Sequence, residues 1–359
     1  MPVWLQWFAI ILYTPVYVLL FMALLPFEKI KRNIVIRKEC SSNAMFGCEP
    51  DKRPVSKLIE YGVVNVNKPE GPNSHLVSDY VKKILNIDKA GHSGTLDPGV
   101  TGVLPIALGS ATRIVQVLLP AGKEYVALMH IHRPVDEKFL KKTLSEFIGT
   151  ITQLPPLKSA VKRQLRERDV YYLEIMELEA QDVLFRVGCE AGTYIRKLCH
   201  DIGRKLGVGA HMQQLVRTKA GPFTDKEMVF LQDLADAFWL WKNKNDESQL
   251  RKIIQPIEDA LKYMPMVWVT DFAVDSLCHG AVLNIPGICK LHEEIIKDDL
   301  VAIMTLKNEL VALGTAVISG KDMLSKDKGL AVRTHKVFME PDVYPKFKIK
   351  RDVQQTDSI

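Results

Sequence analysis

Between residues 91 and 102 the chain reads GHSGTLDPGVTG, and this run limits the fold more than any other. Four glycines (Gly91, Gly94, Gly99, Gly102) and Pro98 cannot fill a core. They let the backbone turn sharply and come close to something. Pro98 disfavours the helical region for Asp97 before it, so that carboxylate is expected on an extended or turning segment. On spacing alone, two readings stand: a surface turn with an ordinary aspartate, or a carboxylate held in place for chemistry.

The flanking sequence alternates short strands with helices. Residues 63–66 read as a strand running into the NKPEGP turn that contains Lys68. Ser74 is placed to cap a helix carrying Val77, Tyr80, Val81, Ile84 and Leu85 on one face, and that helix delivers the chain to Asp97. After the loop, VLPIAL reads as a buried strand. KEYVALMHIH (residues 123–132) alternates, with Tyr125, Ala127, Met129 and Ile131 on one side and His130 and His132 on the other. Two histidines without a third ligand nearby in sequence do not make a metal site. Residues 183–189 alternate again and lead into a helix with Ile195, Leu198, Ile202 and Leu206 inward and Gly207 at its end. Thr193 is the expected N-cap, with Tyr194 and Arg196 in the first turn. The helix dipole prefers anions there, so Arg196 points to a carboxylate partner. Residues 231–261 read as helical, and from about Met264 short strands take over, with a hairpin turning near Lys307 and Asn308. The expected class is α+β.

Residues 1–27 contain no charged side chain and are long enough to span a bilayer. Pro15 and Pro26 weaken a continuous membrane helix only slightly. Lys29, Lys31, Arg32, Arg37 and Lys38 follow, so a span here would leave the remainder in the cytoplasm. A net charge of +6 permits nucleic-acid binding through local patches without requiring it. The densest patch is KSAVKRQLRER, where Lys158, Lys162, Arg163, Arg166 and Arg168 face one acid, Glu167. That density suits phosphate contacts, or simply a solvated face. The six cysteines include no CxxC pair and no zinc-finger spacing, which fits a reduced intracellular protein. Neither a nucleotide-binding glycine loop nor a dinucleotide fingerprint is present, and the sequence asks for no cofactor and no metal.

GHSGTLDP, followed by GVLPIALGSATR and AGKEYVALMHIH, resembles the TruB/dyskerin family of RNA pseudouridine synthases, most closely its archaeal guide-RNA-dependent members. The likeness runs over residues 24–345. It implies a mixed-sheet pseudouridine synthase catalytic domain followed by a PUA domain, a small β-barrel. Residues 1–27 become a hydrophobic extension, 28–60 a segment packing on the PUA domain, 61–260 the catalytic domain, 261–345 the PUA domain and 346–359 a polar tail. LLPFEKIKRNIVIRKE is similar to a soluble family N-terminus, with Met22 as the expected start; a genuine membrane tether is the alternative. Tyr344 and Pro345 match the family's close, but KFKIKRDVQQTDSI replaces its tryptophan ending.

The resemblance also assigns roles. Asp97 is the catalytic carboxylate and Tyr125 the active-site tyrosine against the target base. Arg196, in the Tyr-Ile-Arg motif, pairs with Asp97, and a bidentate pair would fix the carboxylate's direction. Tyr194, Leu215 and His92 line the substrate pocket, although Leu215 could equally be plain core. Lys158, Lys162, Arg163 and Arg166 lie on a loop that clamps RNA. Lys68, in the family's first motif, is expected to contact RNA or to be a solvated turn lysine. His279, Gly280 and Ala281 fall near the PUA surface that grips guide RNA.

The implied activity is isomerisation of specific uridines in RNA, chiefly rRNA and also tRNA, in an H/ACA guide ribonucleoprotein. The implied partners are the guide RNA, the substrate RNA and three accessory proteins: a small zinc-ribbon, a glycine-rich and a kink-turn-binding protein. The alternatives are a stand-alone synthase for the tRNA T-loop and a non-catalytic RNA-binding scaffold. Asp97 would either attack the sugar or remove a sugar proton, and the sequence leaves both open.

Overall fold

The computed structural model describes residues 23–155 and 162–346. Residues 1–22, Lys158 and most of the basic tail lie outside them. Among the described residues no helix is long and apolar enough to cross a membrane.

The larger sheet has ten strands. Its principal members are β1 (Gly62–Lys68), β2 (Thr101–Leu108), β3 (Lys123–Ile131), β4 (Gly149–Gln153), β5 (Arg166–Glu179), β6 (Asp182–Cys189), β7 (Ala210–Ala220) and β8 (Ile254–Pro256). They lie in the order β8-β1-β2-β7-β3-β6-β5-β4, and all neighbours are antiparallel except the short β2–β7 pair. The parallel pair covers only Thr101↔Val216 and Gly102↔Arg217, yet it joins two parts of the sheet through Arg217, which also stands opposite Tyr125 of β3. Gly102 is required there. Its φ is +100°, and a Cβ would come within 2.2 Å of the Arg217 carbonyl oxygen.

Helices close both halves of this sheet. The helix α1 (Ser74–Leu85) seats Val77 and Val81 on Val64, Val66 and Leu104, with Leu234 of α3 (Leu231–Lys244) completing the layer. The helix α2 (Ile195–Lys205) buries Ile195, Leu198 and Ile202 against Phe185 and Val187. Two caps differ from expectation. Asn73, not Ser74, caps α1 by accepting from Leu76 N. At α2, Tyr194 holds the N-cap position, and the Thr193 hydroxyl donates back to Glu190 O at 2.8 Å. Residues 231–261 are helical only in part: α3 is followed by a shorter helix, then by edge strand β8.

The second sheet is a seven-stranded half-barrel with six strands within residues 266–337 and the seventh from the N-terminal segment, and the hairpin turn at Lys307 and Asn308 forms as expected. Its edge is extended by Ile34–Ile36, which pairs with Ile288–His292. One core joins the sheets, with Val63, Val103 and Phe223 on one side and Trp268, Met304 and Leu313 on the other. The N-terminal segment straps over the second sheet. Asn43 N donates to Asp271, Cys48 N to Glu309, and the Arg37 guanidinium to Met323 O. Its last part differs: the helix Val55–Tyr61 buries Val55, Leu58 and Ile59 in the catalytic core instead.

Arg53 closes the seam. Its guanidinium makes two bonds, 2.9 and 2.8 Å, to the Glu258 carboxylate, which also accepts Leu310 N at 2.9 Å. Both side chains are nearly buried. Removing one partner strands the other charge, so Arg53→Met should cost about 3 kcal/mol in urea denaturation.

Candidate active site

Asp97 stands on the stretch between the short strand Ala90–His92 and β2, where Asp97, Pro98 and Gly99 are exposed while Ser93, Leu96 and Val100 are buried. The buried residues turn the loop's carbonyls inward to fixed donors. Ser74 Oγ accepts from Leu96 N at 2.8 Å and donates to Leu96 O at 3.2 Å. Lys68 Nζ donates to Pro69 O, Pro98 O and Val100 O at 2.9, 3.1 and 2.8 Å. Arg217 donates from Nε to Val103 O at 2.7 Å and reaches Gly94 O at 3.3 Å.

These contacts correct the reading of Lys68. It is 0% exposed and so touches no RNA. Burial lowers its pKa from the ordinary lysine value, opposed by Glu70 and Asp97, and three carbonyls satisfy its ammonium.

Arg196 projects from the first turn of α2 and pairs with Asp97 through one guanidinium nitrogen and one carboxylate oxygen, Oδ2. The contact is a single one rather than the expected bidentate fork. Both side chains are more than half exposed, 56% and 57%. The start of α2 is fixed from β4: Gln153, itself buried, accepts Tyr194 N at 2.9 Å and donates to Tyr194 O at 3.2 Å. Sequence reasoning missed Gln153, Ser74 and Arg217. Only Arg217 carried a signal, as an arginine at an inward position of a strand, two residues from Leu215.

Tyr125, on β3, stands opposite Arg217 and is only partly exposed. Burial pushes its phenol above the ordinary tyrosine value, opposed by the neighbouring Arg217 charge. Leu215, 9% exposed, packs in the same apolar cluster as Tyr125. Lys123, at the start of β3, donates to Leu118 O, Leu119 O and Ala121 O. Burial, then the Arg217 charge, pulls its pKa down to about 7.

His92 precedes the loop. Its Nδ1 accepts from Gly94 N at 3.3 Å, and its ring meets His75 edge-on at 4.7 Å. Burial is the main cause that lowers its pKa to about 4, so the ring is neutral at pH 7. An accepting Nδ1 leaves the proton on Nε2, a buried donor without a protein partner.

Asp97, Arg196, Tyr125, Leu215, Tyr194 and His92 therefore belong to connected elements: the loop, the start of α2, and strands β3 and β7. The basic loop departs from β4 next to Gln153. Lys162 and Arg163 are exposed, and Arg166 opens β5. His279, Gly280 and Ala281 are exposed on the second domain, past the helix Asp271–Cys278, and belong to a separate surface. His130 bonds Asp182 and His132 bonds His211, but among the described residues no group of three could hold a metal ion.

Residues 82–195 match the model of the TruB family pseudouridylate synthase N-terminal domain, and residues 196–262 that of the tRNA pseudouridylate synthase B C-terminal domain. Residues 24–78 match the DKCLD domain and 265–338 the PUA domain. Probable tRNA pseudouridine synthase B of Pyrococcus furiosus is 56% identical over 325 residues, covering 90% of this chain and 96% of its own length. The protein of that name from Methanopyrus kandleri is 52% identical over 322 residues, 90% of this chain and 95% of its own. Among solved structures, a Cbf5-Nop10-Gar1 complex matches with TM-score 0.86 and 56% identity over 90% of this chain and 99% of that one. An H/ACA RNP bound to a substrate RNA containing 2′-deoxyuridine matches with TM-score 0.84 and 53% identity over 89% and 98%. The chain belongs to the TruB/dyskerin family of RNA pseudouridine synthases.

A buried lysine that caps carbonyls and one that binds phosphate differ in a measurable way. Lys68→Met should lower stability by about 3 kcal/mol, because three carbonyls lose their donor. The slope of log RNA affinity against log salt should stay at the wild-type value, since no phosphate contact is lost.

Proposed function

We propose that this chain is the catalytic subunit of a guide-RNA particle and converts selected uridines to pseudouridine, with Asp97 as the reactive carboxylate. The observation that carries the chemistry is the Arg196–Asp97 contact on a loop held by buried donors. Arg196 engages Oδ2, which leaves Oδ1 to face the sugar.

The isomerisation breaks C1′–N1 and forms C1′–C5, and the proton at C5 is replaced by the glycosidic bond. The reacting carbon is buried in a stacked nucleotide, so the base must leave the stack. Tyr125 offers a ring for the extruded base, Leu215 an apolar wall, and Tyr194 sits at the mouth of α2. His92, neutral at pH 7, lies beside the loop as a candidate lining ring of the pocket. Asp97 starts the cleavage by attacking the sugar or by taking a sugar proton, and Arg196 steadies its charge when the base covers it. Detached uracil then turns within the covered pocket before C5 meets C1′.

The particle reading is supported by likeness over nearly the whole length of chains solved with Nop10, Gar1 and substrate RNA. The PUA-type sheet and the strap over it extend the chain beyond the catalytic domain. His279, Gly280 and Ala281 are candidates for guide contacts, and Lys158, Lys162, Arg163 and Arg166 for clamping the substrate. The zinc-ribbon, glycine-rich and kink-turn-binding partners, the domain divisions given above and a cytoplasmic location belong to the same proposal. The names of the archaeal relatives favour tRNA as a second substrate.

The test is release of tritium from C5-labelled uridine, with and without a matched guide RNA, in the presence of accessory proteins. Release that requires guide is expected; release from tRNA alone would mark the stand-alone activity. Asp97→Asn should abolish release while RNA binding persists. Wild-type turnover by that variant would refute the assignment of the carboxylate.

A further inference from the structure

The strap over the second domain holds a pair of thiols that the pseudouridine chemistry does not use. The strand Ile34–Ile36 pairs with Ile288–His292, and the pairing ends at Ile36↔Lys290. Just past it, Arg37 N and Lys38 N both donate to the Cys289 carbonyl, at 2.8 and 3.0 Å. The chain then folds back on itself. The Cys40 thiol donates to Lys38 O at 3.4 Å, and Cys40 is close enough to act on the Cys289 thiol electrostatically. Cys289 is 2% exposed, whereas Cys40 is partly open to solvent.

We propose that Cys40 and Cys289 form a reversible disulfide that staples the N-terminal strap to the PUA-type sheet when a peroxide is present. The backbone bonds hold Arg37 and Lys38 on Cys289 whether or not the sulfurs are joined, which keeps Cys40, two residues on, beside its partner. Accessibility sets the order of events. The Cys40 thiolate attacks a peroxide oxygen, the O–O bond breaks, and Cys40 becomes a sulfenic acid as one water leaves. The Cys289 sulfur then displaces hydroxide from the Cys40 sulfur, and the Cys289 proton leaves with it as a second water. Two thiols have lost two electrons and two protons, and hydrogen peroxide has become two waters. Burial, reinforced by the neighbouring Cys40, raises the Cys289 pKa well above the usual thiol range. That makes Cys289 the poorer first attacker and leaves the peroxide to Cys40.

The strap is where a covalent tie has most to add. Its only strand has three residues, and the rest is held by polar contacts such as Ser42 and Asn43 to Asp271 and Arg37 to Lys326 O. A link from Cys40 to Cys289 closes a long loop across the whole catalytic domain, which restricts the unfolded chain strongly. The remaining cysteines supply the control. Cys189 and Cys199 are buried in the catalytic core, and Cys278 is buried in the second domain.

The experiment treats the folded full chain with hydrogen peroxide, blocks free thiols, and then denatures, counts and maps them. The six thiols should fall to four, with one linked peptide joining Cys40 and Cys289, and dithiothreitol should restore six. The oxidised protein should melt on the order of 5 °C higher than the reduced one. Cys40→Ser, a change in an irregular segment, should show neither the linked peptide nor the shift, whereas Cys48→Ser should show both. Six thiols surviving in wild type would overturn the proposal. So would Cys40 oxidised to sulfinic acid without a link, or a link mapped to any other pair.

Discussion

Buried donors face the inner carbonyls of the Asp97 loop, and the exposed carboxylate depends on them. The carbonyls of Gly94, Leu96, Pro98 and Val100, every second residue, are taken by Arg217, Ser74 and Lys68. The intervening residues, Asp97 among them, are thereby turned outward. Two of the donors are full charges without a carboxylate partner among the described residues, an arrangement that burial makes costly. Convergent carbonyls offset that cost, three for Lys68 and two for Arg217. Each cation also joins separate segments: Lys68 ties the end of β1 to the loop, and Arg217 ties β7 to β2 and to the loop. A change at either position should therefore move the loop as a unit.

The opposite device holds the strap. There the buried charges are carboxylates, and the donors come to them from the N-terminal segment. Glu258 takes Arg53 and Leu310 N, Asp271 takes Ser42 and Asn43 N, and Glu309 takes Cys48 N, Thr305 and the Tyr344 hydroxyl. A segment with little regular structure satisfies its backbone by donating to acids of the domain beneath. The match of residues 24–78 to a named domain is thus a match to a strap whose structure is written partly in the PUA region.

Strand and helix order was legible in the sequence because each apolar periodicity is local. VLPIAL could only be a buried strand, and the inward face of α2 was set by Ile195, Leu198 and Ile202. Asp97, Arg196, Tyr125 and Leu215 were reached through the family's motifs, and the geometry brings their elements together. The supports were not legible. Ser74 read as a helix cap because serine before an apolar periodic run usually is one, yet its hydroxyl serves Leu96, 22 residues away. Lys68 read as an RNA contact or a solvated turn lysine because burial of an ammonium is rare, and only the folded carbonyls explain it. Gln153 carries no local pattern: its meaning is the Tyr194 backbone 41 residues on. Long-range hydrogen bonds from single polar side chains leave no period for a sequence to display.

The contrast between a buried scaffold and an exposed reactive pair bears on how the enzyme uses its substrate. An ion pair as open to water as Asp97–Arg196 contributes little to stability, commonly under about 1 kcal/mol. The pair is therefore not what shapes the loop, and its geometry follows from donors beneath it. Its strength rises when a flipped base and the RNA backbone exclude water, because the same charges then act in a lower dielectric. Pairing through one oxygen suits the proposed use, since Arg196 engages Oδ2 and Oδ1 takes no part in that contact. Arg217 repeats the logic one layer down: its guanidinium is already dry, and it stands opposite Tyr125 on the neighbouring strand. On the proposed function, the buried donors fix the loop before RNA arrives, and the substrate completes the low-dielectric environment its own reaction needs.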